Sequence, residues 1–179
     1  MSIFPLPIYP QQNYHYAGIA FGGSSKSRGD RRHAACDLIA PPGTPVYAVE
    51  RGIVLEVPRK PFYQHTFTVV IRHAHFVIRY GEVHENRLVS IGEEVSEGQQ
   101  IGTVGTSNRG NGMLHFEMYQ GTASGSLSQK HNTEYLYVPP LNYQRRKDLI
   151  DPTPYLDSWM LWSDLNSSCI PEESPNSSE

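Results

Sequence analysis

Thr66-Phe67-Thr68-Val69-Val70-Ile71-Arg72-His73, followed after two residues by Phe76-Val77-Ile78-Arg79-Tyr80-Gly81-Glu82, is the stretch that settles the fold class. Both runs are rich in β-branched and aromatic residues. Both alternate in polarity, and the short gap between them predicts a tight antiparallel hairpin. The same texture extends outward in both directions. Pro41-Pro42-Gly43 is a turn ahead of a strand expected from Val46 to Val57. Gly92 and Gly98 punctuate Val95 and Ile101, Gly102 to Gly105 ends a further short strand, and Leu114 to Tyr119 is the last core strand. Helical periodicity is nearly absent, so the expectation is an all-β domain. Residues 1–30 read as an irregular but ordered arm anchored by Tyr14, Tyr16 and Phe21, and residues 31–160 as one domain. Residues 161–179 read as a flexible tail, dominated from about Asn166 by Ser, Asn, Glu and Pro.

The 179 residues suffice for one domain with a substantial core. A net charge of −3 with scattered basic residues excludes a phosphate-binding surface, so no nucleic-acid partner is expected. The cluster Lys26, Arg28, Arg31 and Arg32 reads as a solvated loop. Cys36 and Cys169 make no disulfide framework. No apolar run approaches the ~20 residues of a membrane span. Met1 to Gln12 lacks the basic and apolar regions of a secretory signal. The expectation is synthesis in the cytoplasm, with any action outside it requiring another delivery route.

Chemistry concentrates in two places: His33-Ala34-Ala35-Cys36-Asp37, and His115 within Met113-Leu114-His115-Phe116-Glu117. Two imidazoles and one carboxylate can hold a catalytic zinc ion with the fourth tetrahedral position open. Such an ion lowers the pKa of its water towards ~7 and polarises a carbonyl. The spacing His-x-x-x-Asp is common by chance, and a surface-loop histidine or a turn-forming aspartate would read the same way. In strands, side chains two apart share a face, which groups Met113, His115 and Glu117, and likewise Tyr80, Glu82 and His84. Adjacent strands could then aim His115 and Glu82 into one groove. Glu117 could support His115 as a hydrogen-bond acceptor, although a plain cross-strand contact is the simpler reading. His73 and His75 flank the hairpin turn and read as structural or exposed. Cys36 faces away from Asp37 and reads as a small buried residue.

The stretch from His33 through Pro41-Pro42-Gly43-Thr44-Pro45-Val46 to Arg51-Gly52-Ile53-Val54 resembles the first motif of the lysostaphin/LytM-type zinc peptidases, family M23. Gly92-x-x-Val95-x-x-Gly98-x-x-Ile101-Gly102 and Leu114-His115-Phe116-Glu117 resemble its closing segment. The resemblance covers roughly residues 30 to 120. It implies that His33, Asp37 and His115 bind Zn2+, that the fold is a compact antiparallel β domain with a groove over one sheet, and that the substrate is a peptide of bacterial peptidoglycan. Two departures stand out. Met113 occupies the first position of the family's His-x-His, and Tyr80-Gly81-Glu82 replaces its Tyr-x-His. Glutamate can serve as the general base in zinc hydrolases of other folds, so Glu82 is the candidate catalytic residue and His84 the spare. The leading expectation is a zinc endopeptidase, acting as a phage lysin or as a delivered antibacterial effector with a protein inhibitor. The alternative is a catalytically inactive binding module that uses the same groove. Biotinyl and lipoyl carriers share some of the glycine and valine spacing, but no lysine lies between Lys60 and Lys130 to carry a cofactor.

Overall fold

A computed structural model of the chain describes residues 2–129 and 142–167, with side chains as far as residue 160. In chain order the strands are β1 (Cys36–Ile39), β2 (Pro45–Tyr47), β3 (Gly52–Glu56), β4 (Phe67–His73), β5 (Val77–Val83), β6 (Glu94–Val95), β7 (Gln100–Thr103), β8 (Met113–Tyr119) and β9 (Leu149–Ile150), followed by helix α1 (Thr153–Ser167). The expected hairpin is β4–β5, in the register Ile71↔Ile78 and Val69↔Tyr80. It sits at the middle of an antiparallel sheet ordered β1-β8-β5-β4-β3-β6. β9 pairs with Met118 and Tyr119, continuing the edge where β1 stops at Phe116.

The strand expected across Val46 to Val57 is instead two strands in two sheets. β2 pairs with β7 in a small separate sheet, while β3 joins the main one. The break between them is fixed by partners from elsewhere: Ala48 N–H donates to the Gln99 carbonyl and Val49 N–H to the Tyr80 hydroxyl. Gly52 restarts the chain against β4 so closely that a Cβ there would lie 2.7 Å from the Arg72 carbonyl oxygen.

Period-two alternation sorts the main sheet into two faces. Leu38, Ile71, Ile78, Tyr80, Leu114 and Phe116 pack into the larger core, which Val46, Ile101 and the arm close over. On the opposite face a smaller cluster joins Val70, Val77 and Tyr119 to Ala34, Leu127, Tyr143 and Leu149. The arm is held by Phe4, Leu6 and Tyr14, all buried, with Phe21 partly buried. Tyr16 is not an anchor: its side chain is 65% exposed, and its backbone serves in turns, the N–H donating to the Asn13 carbonyl and the carbonyl accepting from Ile19 and Ala20.

The antiparallel β domain expected from the sequence carries one helix, α1, which the scarcity of helical periodicity did not announce. The Asp151 carboxylate accepts the Thr153 N–H at 2.8 Å, satisfying one unpaired donor at the helix start. Leu156, Trp159 and Met160, at i, i+3 and i+4, turn inward. Trp159 lies 6.0 Å from Phe76 and 6.2 Å from Phe116, ring centre to ring centre. The arm and helix also bind each other, through Tyr14 and His15 on Asp157. Residues 161–167 continue the helix, and the remainder of the expected tail, 168–179, lies outside the described residues. Among the described residues no helix is long and apolar enough to cross a membrane.

α1 is thus part of the core. Trp159→Ala is expected to destabilise the fold by about 3–5 kcal/mol, the usual cost of emptying a buried aromatic site. The midpoint of urea unfolding measures it, and a change near zero would show that the helix is dispensable.

Candidate metal centre

The register of β1 against β8 places Asp37 directly opposite His115. His33 precedes β1, where the chain bends back and pairs with the arm: Gly22 N–H donates to the His33 carbonyl, and His33 N–H to that of Gly23. The bend brings the three side chains together. Nδ1 of His115 is 2.8 Å from Oδ1 of Asp37, Nε2 of His33 is 3.2 Å from the same oxygen, and the two ring nitrogens are 3.4 Å apart. All three residues are buried, and among the described residues they are the one group of His, Cys, Asp and Glu able to hold a metal ion.

The outer atoms of the two rings decide whether this set suits zinc. Nδ1–H of His33 donates to the Ala20 carbonyl at 3.0 Å. Nε2–H of His115 donates to Oε1 of Glu117 at 2.9 Å. Each ring therefore spends its one neutral-state proton on an acceptor outside the cluster, leaving the inner nitrogen as a lone pair facing Asp37. Zinc-binding histidines are held in this way, with their other nitrogen on a carboxylate or a backbone carbonyl. The donor set and its tautomers fit the ion.

Without an ion the cluster is tied by charge. Burial alone would raise the Asp37 carboxyl, but hydrogen bonds from His115 and His33 hold it well below the usual range. Burial by itself lowers the His115 pKa; its bonds to Asp37 and Glu117 more than reverse that, raising it to about 9. His115 packs closely against Gly81, where an added Cβ would lie 3.0 Å from the His115 carbonyl oxygen and 3.2 Å from its Cβ and Cδ2, so a side chain there would press on the ring.

Beneath His115 is a buried ionic layer. Oε2 of Glu117 accepts from Nη1 of Arg79, its cross-strand partner, at 3.0 Å, and from the Tyr119 hydroxyl at 2.5 Å. Oε1 accepts from Nε of Arg145 at 2.9 Å. Burial opposes charge on Glu117, yet Arg145 and Arg79 keep its carboxyl far below the ordinary value. Glu117 therefore does both things considered for it: it accepts a direct hydrogen bond from His115 and makes a cross-strand contact, with Arg79.

Glu82 reaches the site by a route that alternation does not describe. Tyr80 points into the core, and so does Val83, three residues on. The pairing of β4 with β5 slips between Phe67 and Thr68, and Glu82 is the extra residue, with φ of 58°. Such a bulge re-aims a side chain at a cost of order 1–3 kcal/mol for the left-handed backbone. Tyr80, Glu82 and His84 thus do not share a face. Burial pushes the Glu82 carboxyl up to about 7, with Asp37 adding to the rise and His115 opposing it.

The other candidates fall elsewhere. His84 is exposed, its Nδ1 accepting the Asn86 N–H, and it lines a cleft of about 460 Å³ with His65, Thr106 and Asn108 beside Gly105. His73 is buried in the hairpin, 3.2 Å from both the Tyr80 hydroxyl and the Arg51 carbonyl. Cys36 is buried, with Sγ 3.3 Å from the Thr153 hydroxyl. Arg28 is not a free loop cation, since it lies 3.7 Å from Oδ2 of Asp37 and donates to the Gly18 carbonyl. Sequence reasoning missed Ala20, Arg79 and Arg145. Arg79 was legible as a cation on the strand that neighbours β8, whereas no local signal marks the other two.

An antiparallel β domain with a buried His/Asp/His cluster able to hold a metal ion is the class that the fold and the site define. The profile of peptidase family M23 matches residues 31–130, and the chain belongs to that family. It is 37% identical over 89 residues to the peptidoglycan DD-endopeptidase ShyC of Vibrio cholerae serotype O1, an overlap of 49% of this chain and 20% of that protein. Among solved structures, LytU superposes with a TM-score of 0.55 at 20% identity, covering 78% of this chain and 82% of that one. A zinc-containing peptidase from Vibrio cholerae superposes with a TM-score of 0.52 at 26% identity, covering 66% of this chain and 36% of that one. The chain spans only a fifth of the length of ShyC.

The raised pKa of His115 has a consequence for chelator-treated protein. Folding then binds a proton between the unfolded value near 6.5 and the folded value of about 9. Stability is full below that window and falls as pH rises through it. Unfolding midpoints measured from pH 6 to pH 10 in chelator check this, and a flat profile would contradict the charged pairing of His115 with Asp37 and Glu117.

Proposed function

We propose that this chain is a zinc-dependent endopeptidase that hydrolyses peptide bonds of bacterial peptidoglycan, with His33, Asp37 and His115 holding the ion and Glu82 as general base. The observation that carries this reading is the convergence of Nε2 of His33, Oδ1 of Asp37 and Nδ1 of His115 with both outer ring nitrogens already committed to acceptors. Membership of family M23, the endopeptidase ShyC and the zinc-containing peptidase among the structural neighbours support it.

Bound zinc would supply a Lewis acid that polarises the peptide carbonyl and acidifies water. The rest falls to the chain. Asp37 brings one negative charge to the two neutral imidazoles and offsets half the charge of a divalent ion. Glu82, half-buried and aimed by its bulge, takes the proton of the attacking water and delivers it to the leaving amine. A carboxyl raised towards 7 is matched to that exchange near neutral pH, because a general base works best with a pKa close to the operating pH. Met113, on the edge of β8 opposite Ile39, carries a thioether and moves no proton.

Purified protein incubated with sacculi or a cross-linked stem-peptide dimer is expected to release shorter peptides by mass spectrometry, and chelator is expected to stop it. Glu82→Gln should keep about one zinc per chain while turnover falls ~10²–10⁴-fold, the usual loss of a general base. His115→Ala should lose the zinc. Full turnover in Glu82→Gln with loss in His84→Ala would move the base to His84. The substitution of Met113 for the family's histidine favours the second reading, a groove that binds wall peptides without cutting them. Zinc bound with no turnover in wild type would establish that one.

A secreted antibacterial effector or a phage lysin, checked by a protein inhibitor over the same groove, is the setting this reading proposes. Expression directed to the periplasm of a Gram-negative host is then expected to round or lyse cells, cytoplasmic expression to be harmless, and His33→Ala to abolish the effect. Exported, zinc-loaded protein that leaves cells intact would overturn the lytic role.

A further inference from the structure

Glu117 is completely buried, and its oxygens receive donors from three separate parts of the chain. His115 and Tyr119 come from its own strand and Arg79 from β5. The third part is remote: Arg145, with both Nε and Nη2 at 2.9 Å from Oε1, the oxygen that accepts from His115. Arg145 lies beyond residue 130, outside the stretch that matches the family profile. Its backbone is fixed on both sides. Ser128 bridges to Arg145, Gln129 N–H donates to the Gln144 carbonyl, and Arg146 N–H donates to that of Leu127.

The same segment also backs the other histidine. The Tyr143 ring stacks on Phe21 at 5.0 Å, and the Asn142 carbonyl accepts the Arg32 N–H. Phe21 adjoins Ala20, whose carbonyl takes the outer proton of His33. Residues 142–146 therefore back both imidazoles through the residues that accept their outer protons.

We propose that Arg145 is a positioning residue of the metal centre: by clamping Oε1 of Glu117 it fixes the Nε2–H of His115 and so aims Nδ1 at the ion. Nε and Nη2 of Arg145 both grip Oε1, while Arg79 and the Tyr119 hydroxyl hold Oε2, so the carboxylate is pinned at both of its oxygens by strong charge-assisted bonds. Without Arg145 the Oε1 side would be held only through the His115 ring that it is meant to orient. The proposal rests on the zinc reading of His33, Asp37 and His115, and it makes the C-terminal segment part of the site rather than a trailing edge.

Zinc affinity tests this, measured by competition with a chromogenic chelator on the full chain. Arg145→Gln is expected to bind zinc ~10–100-fold more weakly, the range typical of lost outer hydrogen bonds. Arg145→Lys, which keeps the charge without the fork, should fall between that and wild type, and it serves if Arg145→Gln does not fold. Trp159→Ala, on the opposite face of the sheet, supplies the control, since it lowers stability without touching Glu117 and should leave affinity unchanged. Wild-type affinity in both Arg145 variants overturns the proposal, as does a loss matched by Trp159→Ala. Wild type that holds no zinc overturns the zinc reading and this proposal with it, an outcome told apart because it needs no variant.

Discussion

A carboxylate buried without any contact with water is costly unless donors surround it, and Glu117 is surrounded. Two guanidinium groups, a phenol and an imidazole converge on its two oxygens. Removing any of these partners would strand the others in the same dry layer, so the arrangement is close to all-or-none. Its result is a ring, that of His115, locked between Glu117 behind and Asp37 in front. β5, β8 and the segment around Arg145 each contribute to satisfying that one charge.

The site is thus built in two layers that differ in tolerance. The upper layer, His33, Asp37 and His115, is short of charge compensation when empty, which is why hydrogen bonding has to hold Asp37 ionised and His115 protonated. The lower layer is saturated. On the zinc reading proposed above, an ion bound in the upper layer would compete with a proton for His115, which would link its affinity to pH through that ring. Glu82 belongs to neither layer. It arrives on a strained bulge, the kind of local cost that β-sheets concentrate at their working edges.

Much of this was legible. The hairpin, the order of glycine turns and the all-β class follow from alternation and turn residues, because a strand with one face in a core must alternate. The His33, Asp37 and His115 set was legible as a motif, and its convergence needed only the bend before β1. Alternation failed where backbone geometry overrode it. Val46 to Val57 reads as one apolar strand, yet the Tyr80 hydroxyl and the Gln99 carbonyl capture its middle. Pure alternation would have sent Glu82 to the core beside Tyr80, and the bulge is what turns it away from that face. α1 was legible in Leu156, Trp159 and Met160, but a single narrow stripe near the chain end is easily passed over.

Sequence by itself determined which side chains are available and which of them face together within a strand, as His115 does with Glu117. These are properties of local backbone repeat, fixed by covalent geometry. Only the tertiary structure decided that the Ala20 carbonyl would take a proton from His33 and that Arg145 would close over Glu117. Neither partner has a periodic relation to the residue it serves. Each is brought in by long-range packing, the arm through Phe4, Leu6 and Tyr14 and the C-terminal segment through Tyr143 on Phe21. Burial of apolar surface drives those contacts without regard to chemistry, and the hydrogen bonds that orient the site are formed where that packing happens to set them.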